Sequence, residues 1–356
     1  MSEIQDILAL HGEALKADKR VAVATVIKTE GPSYRSAGAR SLIVEDGTFS
    51  GGLSAGCLEG DIACRLDSIS NEAFVVTYDL SEEDDIRGFP FGCGGTVMIF
   101  VEPLPNQRAL NAMRWLSELD EPAVMLTVVK TDHAGDAKTA PGARFGISKS
   151  GSANLCDGLA NMLPLCKMIF DAQKCQLINV TLNGENLEIF AEYFEPAISV
   201  VIFGDGEDAR ILEDIARRVG MHALRLSKQV VRSCNSLLQE YQNLTRSYLV
   251  VMTHDLNLDT RVLEQLITSA PPYLGIMGPR SRTQKILTAI GVRPSSIFSQ
   301  PHFYSPVGLN MAAETPSEIA LSVLAEIQTV ARKTNPQHLR DKDGAIHERW
   351  ELEPKH

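Results

Sequence analysis

Two cysteines stand in glycine-rich runs where a side chain can do chemistry. Cys57 lies in Gly51-Gly52-Leu53-Ser54-Ala55-Gly56-Cys57-Leu58-Glu59-Gly60, and Cys93 lies in Phe91-Gly92-Cys93-Gly94-Gly95. Glycine frees the backbone for tight turns and lets a ligand approach closely. A thiol on such a loop is a candidate reactive or ligand-binding group when it is exposed and favourably charged. Taken singly, each cysteine also reads as a small buried residue beside a turn. Their shared glycine setting, with Gly52, Gly56 and Gly94 around the thiols, raises the pair above that reading.

A second constellation lies further along. Ile198–Phe203 is an apolar strand, followed directly by Gly204-Asp205-Gly206-Glu207-Asp208-Ala209, a helix to Val219 and a second strand at Ala223–Leu226. Strand, Gly-x-Gly-x-x-Ala, helix and strand form the dinucleotide-binding fingerprint, in which Gly204 turns the chain and Gly206 admits a pyrophosphate. The acidic residue that should hold the ribose about twenty positions on is absent, since Ser227-Lys228-Gln229 stands there. Asp205 and Glu207 would repel a phosphate. The reading is therefore a Rossmann-like fold with NAD(P) as an open, weaker expectation. His254, Asp255, Arg280 and Arg282 fall just after further strands, where such sheets bind ligands. A helix N-cap with a turn histidine, and a solvated helix start, are the alternatives for them.

The elements that position these residues follow from periodicity. Residues 3–17 read as an amphipathic helix. Strands are expected at Val21–Ile27, Ala39–Val44, Phe74–Tyr78, Thr96–Glu102 and Ala123–Val129. A helix is expected at Leu58–Ser68, with Cys64 packed in it, and another at Gln107–Leu119. Further on come strands at Ser247–Met252 and Tyr273–Met277 and helices at Leu258–Ser269 and 314–330, the last with Thr315 as cap and Pro316 at its first position. No internal repeat is evident. The boundaries expected are 1–105, strand-rich with the Gly-Cys loops; 106–195, a middle α/β segment; 196–332, Rossmann-like with a parallel sheet; and 333–356, a polar tail.

The chain has 356 residues, net charge −11 and seven cysteines. Acidity on this scale argues against nonspecific nucleic-acid binding. The acidic start lacks a basic leader, no apolar run reaches the ~20 residues of a membrane span, and an odd cysteine count fits reduced thiols. Together with the net acidity, those points give the expectation of a cytoplasmic protein with neither nucleic-acid nor membrane partners.

Gly38-Ala39-Arg40, the run Gly51–Glu59, Gly92-Cys93-Gly94-Gly95, Thr253-His254-Asp255, Tyr273-Leu274-Gly275 and Pro306–Leu309 running into Glu314–Ala320 together resemble the xanthine dehydrogenase accessory proteins, the XdhC/CoxI family. The resemblance covers nearly the whole chain in order. It implies a strand-rich N-terminal XdhC/CoxI domain followed by the Rossmann-like domain, and a non-catalytic maturation factor. Such a factor binds molybdenum cofactor, as molybdopterin or its dinucleotide form, and protects it. It assists sulfuration and inserts the cofactor into an apo-molybdenum hydroxylase of the xanthine dehydrogenase type. A cysteine desulfurase is a further candidate partner, and a homodimer is the default assembly. In that light Cys57 and Cys93 are the candidate metal ligands, because soft thiolates suit a metal–sulfur centre. Arg35 and Arg40 would hold a phosphate, and Gly204, Gly206, His254 and Arg280 a nucleotide portion. The competing readings are an NAD(P)-dependent oxidoreductase with His254 as acid/base, and a docking scaffold without cofactor.

Overall fold

The computed structural model describes residues 3–31, 33–66, 72–80, 95–132, 139–156, 160–182 and 184–341. The chain divides into two compact units, one spanning Glu3–Pro196 and the other beginning at Ala197.

The first unit opens with α1 (Glu3–Lys16), whose Ile4, Ile7 and Ala14 are buried while its polar face is wet. Then come β1 (Val21–Glu30), β2 (Arg40–Val44), β3 (Phe49–Gly51), α2 (Cys57–Arg65), β4 (Phe74–Asp79) and β5 (Thr96–Pro103). β1 carries seven consecutive buried residues, the signature of a strand covered on both faces. The second half of the unit holds α3 (Gln107–Glu118), β6 (Ala123–Thr131), β7 (Arg144–Ser148), β8 (Ala153–Cys156), α4 (Leu163–Ala172), β9 (Gln176–Leu182) and β10 (Glu185–Phe194). Asn106 caps α3 by accepting from the Arg108 and Ala109 amides.

The two halves are one fold written twice, which corrects the reading that the chain has no internal repeat. The antiparallel sheet β3-β2-β1-β5-β4 recurs as β8-β7-β6-β10-β9. In each, a helix precedes the central strand and another follows the third strand. Gly38-Ala39-Arg40 leads into β2 and Gly142-Ala143-Arg144 into β7. Both glycines are left-handed, with φ 96 and 88, and each donates its amide at 2.8 Å to the central strand, Gly38 to Val26 and Gly142 to Val128. Ile27 and Phe100 from the first half pack with Val129 and Phe190 from the second. The repeat is also written in the chain: Thr25-Val26-Ile27-Lys28-Thr29-Glu30 at β1 returns as Thr127-Val128-Val129-Lys130-Thr131-Asp132 at β6, and Ile99-Phe100-Val101-Glu102 on β5 as Ile189-Phe190-Ala191-Glu192 on β10.

The second unit is a doubly wound α/β layer. Its elements are β11 (Ser199–Phe203), α5 (Glu207–Arg218), β12 (His222–Leu226), α6 (Lys228–Ser233), α7 (Leu237–Glu240), β13 (Tyr248–Val251), α8 (Leu256–Leu266), β14 (Tyr273–Ile276), α9 (Arg280–Ala289), α10 (Pro294–Phe298), β15 (Phe303–Tyr304) and α11 (Pro316–Ala331). All pairings are parallel, in the order β12-β11-β13-β14-β15. The order reverses between β11 and β13, so their carboxyl ends form the crevice where such sheets take ligands. A complete capping box at Thr315 and Glu318 starts α11. Among the described residues no helix is long and apolar enough to cross a membrane.

Candidate functional site

The glycine–cysteine loop is built by backbone necessity at its base and by one carboxylate at its centre. Gly51 has φ 85, and a Cβ there would lie 2.3 Å from the Arg40 carbonyl, so no side chain fits where β3 leaves β2. The chain then runs to Gly56, at φ 110, and Cys57 becomes the first residue of α2. Glu59, 1 % exposed, turns back into the loop. Its Oε1 accepts from the Leu53 amide at 2.6 Å and the Ser54 amide at 3.0 Å, and its Oε2 from the Ser54 hydroxyl at 2.5 Å. Ser54 Oγ in turn accepts from the Gly56 and Leu58 amides, both at 3.1 Å. Burial pushes the Glu59 carboxyl up, but the Ser54 hydroxyl and the Leu53 and Ser54 amides outweigh it and leave its pKa below the ordinary value.

The outcome is an exposed Cys57 at the positive end of a helix, a setting that favours an anionic ligand group. A Cβ on Gly52 would come within 3.7 Å of Arg35 Nη1, so Arg35 borders the loop. Its guanidinium meets the exposed Glu3 carboxylate at 3.0 Å. The Phe49 ring lies 3.9 Å from where a Gly56 side chain would begin and is 42 % exposed. Neither Phe49 nor Glu59 was singled out from sequence; an acidic residue in the first turn behind a Gly-Cys pair was the available signal for Glu59.

Arg40 is a different matter. Its guanidinium is buried and forms a fork with Glu192, Nη1 to Oε1 at 2.8 Å and Nη2 to Oε2. Burial opposes its charge and Glu192 outweighs that, holding its pKa above the ordinary value. The expected phosphate clamp is thus corrected to an internal ion pair, because the Nη1–Nη2 edge that would grip a phosphate is taken by Glu192 and the side chain is buried. Cys64 also departs from expectation: it is exposed rather than packed. Cys93 and Gly94 lie outside the described residues. Cys166 and Cys175 are raised by burial to about 11 and about 12, and Cys234 is raised by burial and Glu240. Among the described residues no group of three or more His, Cys, Asp or Glu side chains is arranged to hold a metal.

In the second unit, the crevice residues converge but point to a different chemistry. Gly204 has φ 153, and a Cβ would strike the Met252 carbonyl at 2.5 Å, so the tight turn after β11 demands glycine. At Gly206 the space for a Cβ is taken by Asp208 Oδ1 at 2.5 Å. His254, left-handed at φ 58, bonds Asp208 Oδ2 through Nε2 at 2.6 Å, joining the first turn of α5 to the loop after β13. Asp205 accepts from the Lys228 amide at 3.2 Å, and Ser227 caps α6 through the Val230 amide. Asp255 caps α8. Arg280 stands apart from this group, its guanidinium 4.1 Å over the Phe298 ring. Arg282 pairs with the buried Asp259.

Together the fold and the site define a two-unit protein: a duplicated antiparallel body presenting a thiol on a glycine loop, and a parallel doubly wound unit with a glycine turn at its switch point. Family models agree with both parts. The model of the XdhC and CoxI family matches residues 14–79 and that of the XdhC Rossmann domain matches residues 200–327, so this chain belongs to the XdhC and CoxI family. It is 28% identical over 334 residues to a Bacillus subtilis (strain 168) protein named as a probable xanthine dehydrogenase subunit, covering 88% of this chain and 94% of that protein. It is 23% identical to the "Molybdenum cofactor insertion chaperone PaoD" of Escherichia coli strain K12, over 91% of this chain and 87% of that one. A solved structure from Bacillus halodurans, described as a xanthine dehydrogenase, superposes with TM-score 0.68 at 26% identity, covering 94% of this chain and 97% of its own.

Proposed function

We propose that this protein is a molybdenum cofactor insertion chaperone for a molybdenum hydroxylase of the xanthine dehydrogenase type. The observation that carries the reading is the exposed Cys57 at the start of α2, set on a loop that glycines keep open and Glu59 keeps in shape. A cofactor of this class combines a thiophilic metal–sulfur centre with an anionic tail. Cys57 offers the soft ligand, while Arg35 and the α2 N-terminus offer positive charge. The cofactor is cargo: it is held, shielded, made ready by sulfuration with help from a desulfurase, and passed on. The Escherichia coli relative's name points the same way.

The nicotinamide oxidoreductase reading has less support. The Asp208 carboxylate stands at the α5 N-terminus where a pyrophosphate would sit, and Asp205 adds a second negative charge. The decisive experiment is in cells. A strain lacking this protein, complemented with wild type or Cys57→Ala, is assayed for molybdenum and activity of the purified hydroxylase. The account expects hydroxylase protein at normal level but at least about tenfold poorer in molybdenum and activity with Cys57→Ala. Full activity without the protein contradicts it.

A further inference from the structure

We infer that the second half of the first unit supports the first, and that the Arg40–Glu192 pair is the positioning contact through which it sets the Cys57 loop. The duplication sets up the contact. Each half places an arginine at the head of its second strand, Arg40 on β2 and Arg144 on β7, and each sends that guanidinium into the other half: Arg40 to Glu192 on β10, Arg144 to Glu102 on β5. Both pairs are buried, with side-chain exposures of 9 % and 3 % for the first and 7 % and 0 % for the second. The glycine two residues before each arginine lies close to the same carboxylate: a Cβ on Gly38 would be 3.6 Å from Glu192 Oε1, and one on Gly142 would be 3.3 Å from Glu102 Oε1.

The pairs are equivalent in geometry and unequal in what they hold. The Arg40 carbonyl accepts from the Gly52 amide at 3.0 Å and lies under Gly51, the residue where no side chain fits. Arg40 is thus tied to β10 by its side chain and to the base of the Cys57 loop by its backbone. Arg144 heads β7, whose edge partner β8 leads to α4 and not to the Cys57 helix. A buried ion pair adds little net stability but is costly to break on one side, and a reciprocal pair fixes the mutual placement of two copies. The duplicated fold therefore supplies its own control: removing either carboxylate breaks an equivalent buried pair, while only Glu192 bonds the arginine whose carbonyl holds the base of the Cys57 loop, Glu102 acting on Arg40 through charge alone.

The test compares Glu192→Gln with Glu102→Gln in the full-length protein. The readout is the rate of iodoacetamide alkylation of Cys57 relative to Cys64, both exposed and on the same helix, followed by peptide mass spectrometry under native conditions. Coupling between connected groups predicts that Glu192→Gln shifts this ratio about threefold or more, while Glu102→Gln leaves it within about 1.5-fold. Both variants should lower the unfolding midpoint. Where the single variants do not fold, the apolar replacements Arg40→Met with Glu192→Leu, and Arg144→Met with Glu102→Leu, are read by the same ratio. Equal shifts in the two variants, or no shift in either, overturn the inference. The readout needs no cofactor, so its failure is separate from failure of the chaperone reading.

Discussion

At the scale of single residues, the cysteines sort by burial. Cys57 and Cys64 are exposed; Cys166 and Cys234 are buried and Cys175 is half-buried, and all three of these have pKa values pushed above the ordinary one. The thiolate is the reactive form, so a limited dose of iodoacetamide at pH 8 should label Cys57 and Cys64 in the native protein. Cys166, Cys175 and Cys234 should react only after denaturation, at native rates slower by about tenfold or more. Native labelling of Cys175, which sits near Gly38 and the Arg40–Glu192 pair, would contradict the packing described. The cysteine loop was legible from the chain because glycine spacing is a local signal. The fate of Arg40 was not. Its partner stands 152 residues away, and nothing local distinguishes an arginine that grips a ligand from one that grips a carboxylate on another strand.

At the scale of elements, Glu59 makes the loop and α2 into one piece. Its pKa is lowered in the folded protein, so the stability it contributes is fully present above its ordinary value of 4.5 and is lost as pH falls through the lower folded value. Glu59→Gln should cost about 2 kcal/mol at neutral pH. The gap in unfolding midpoint between it and wild type should close as pH drops below 4.5. A gap that is constant with pH, or one that widens in acid, contradicts the role given to this carboxylate.

The elements themselves were read unevenly. β1, β5, β11 and α11 carry long apolar runs or clear caps, and their sequence expectations lie within a few residues of the structure. Between 106 and 195 the chain yields α3 and β6 but not β7, β8, β9 and β10. β7 is buried on both faces and lacks the alternation that marks a half-covered strand; β9 does alternate, with Ile178, Val180 and Leu182 against the core and Asn179 and Thr181 exposed, a local signal the sequence reading passed over. The glycine turn after β11 was legible, and so were the acids that oppose a phosphate there; that Asp208, two residues on, turns back over Gly206 was not, because a side-chain rotamer is not written in spacing.

At the scale of the molecule, a repeat organises the first unit, and short matched segments of sequence carry it, residues 25–30 with 127–132 and 99–102 with 189–192. Its sheets match in strand order, but the connections differ: residues 80–95 join β4 to β5, whereas 183–184 alone join β9 to β10. Cys93 lies in the longer connection, and the glycine–cysteine run before α2 also belongs to the first copy. Features held in common, Gly-Ala-Arg and its reciprocal glutamate, build the body; features found once are where a function was added.

The central claim is that this body carries molybdenum cofactor through Cys57. Its most direct test is to purify the protein without oxygen from cells that make molybdopterin, denature it, oxidise the released pterin and read it by fluorescence, with Cys57→Ala in parallel. The account predicts near-stoichiometric pterin on the wild type and a loss of about tenfold or more in Cys57→Ala. No pterin on the wild type from a host shown to make it, or equal pterin on both proteins, would contradict the account.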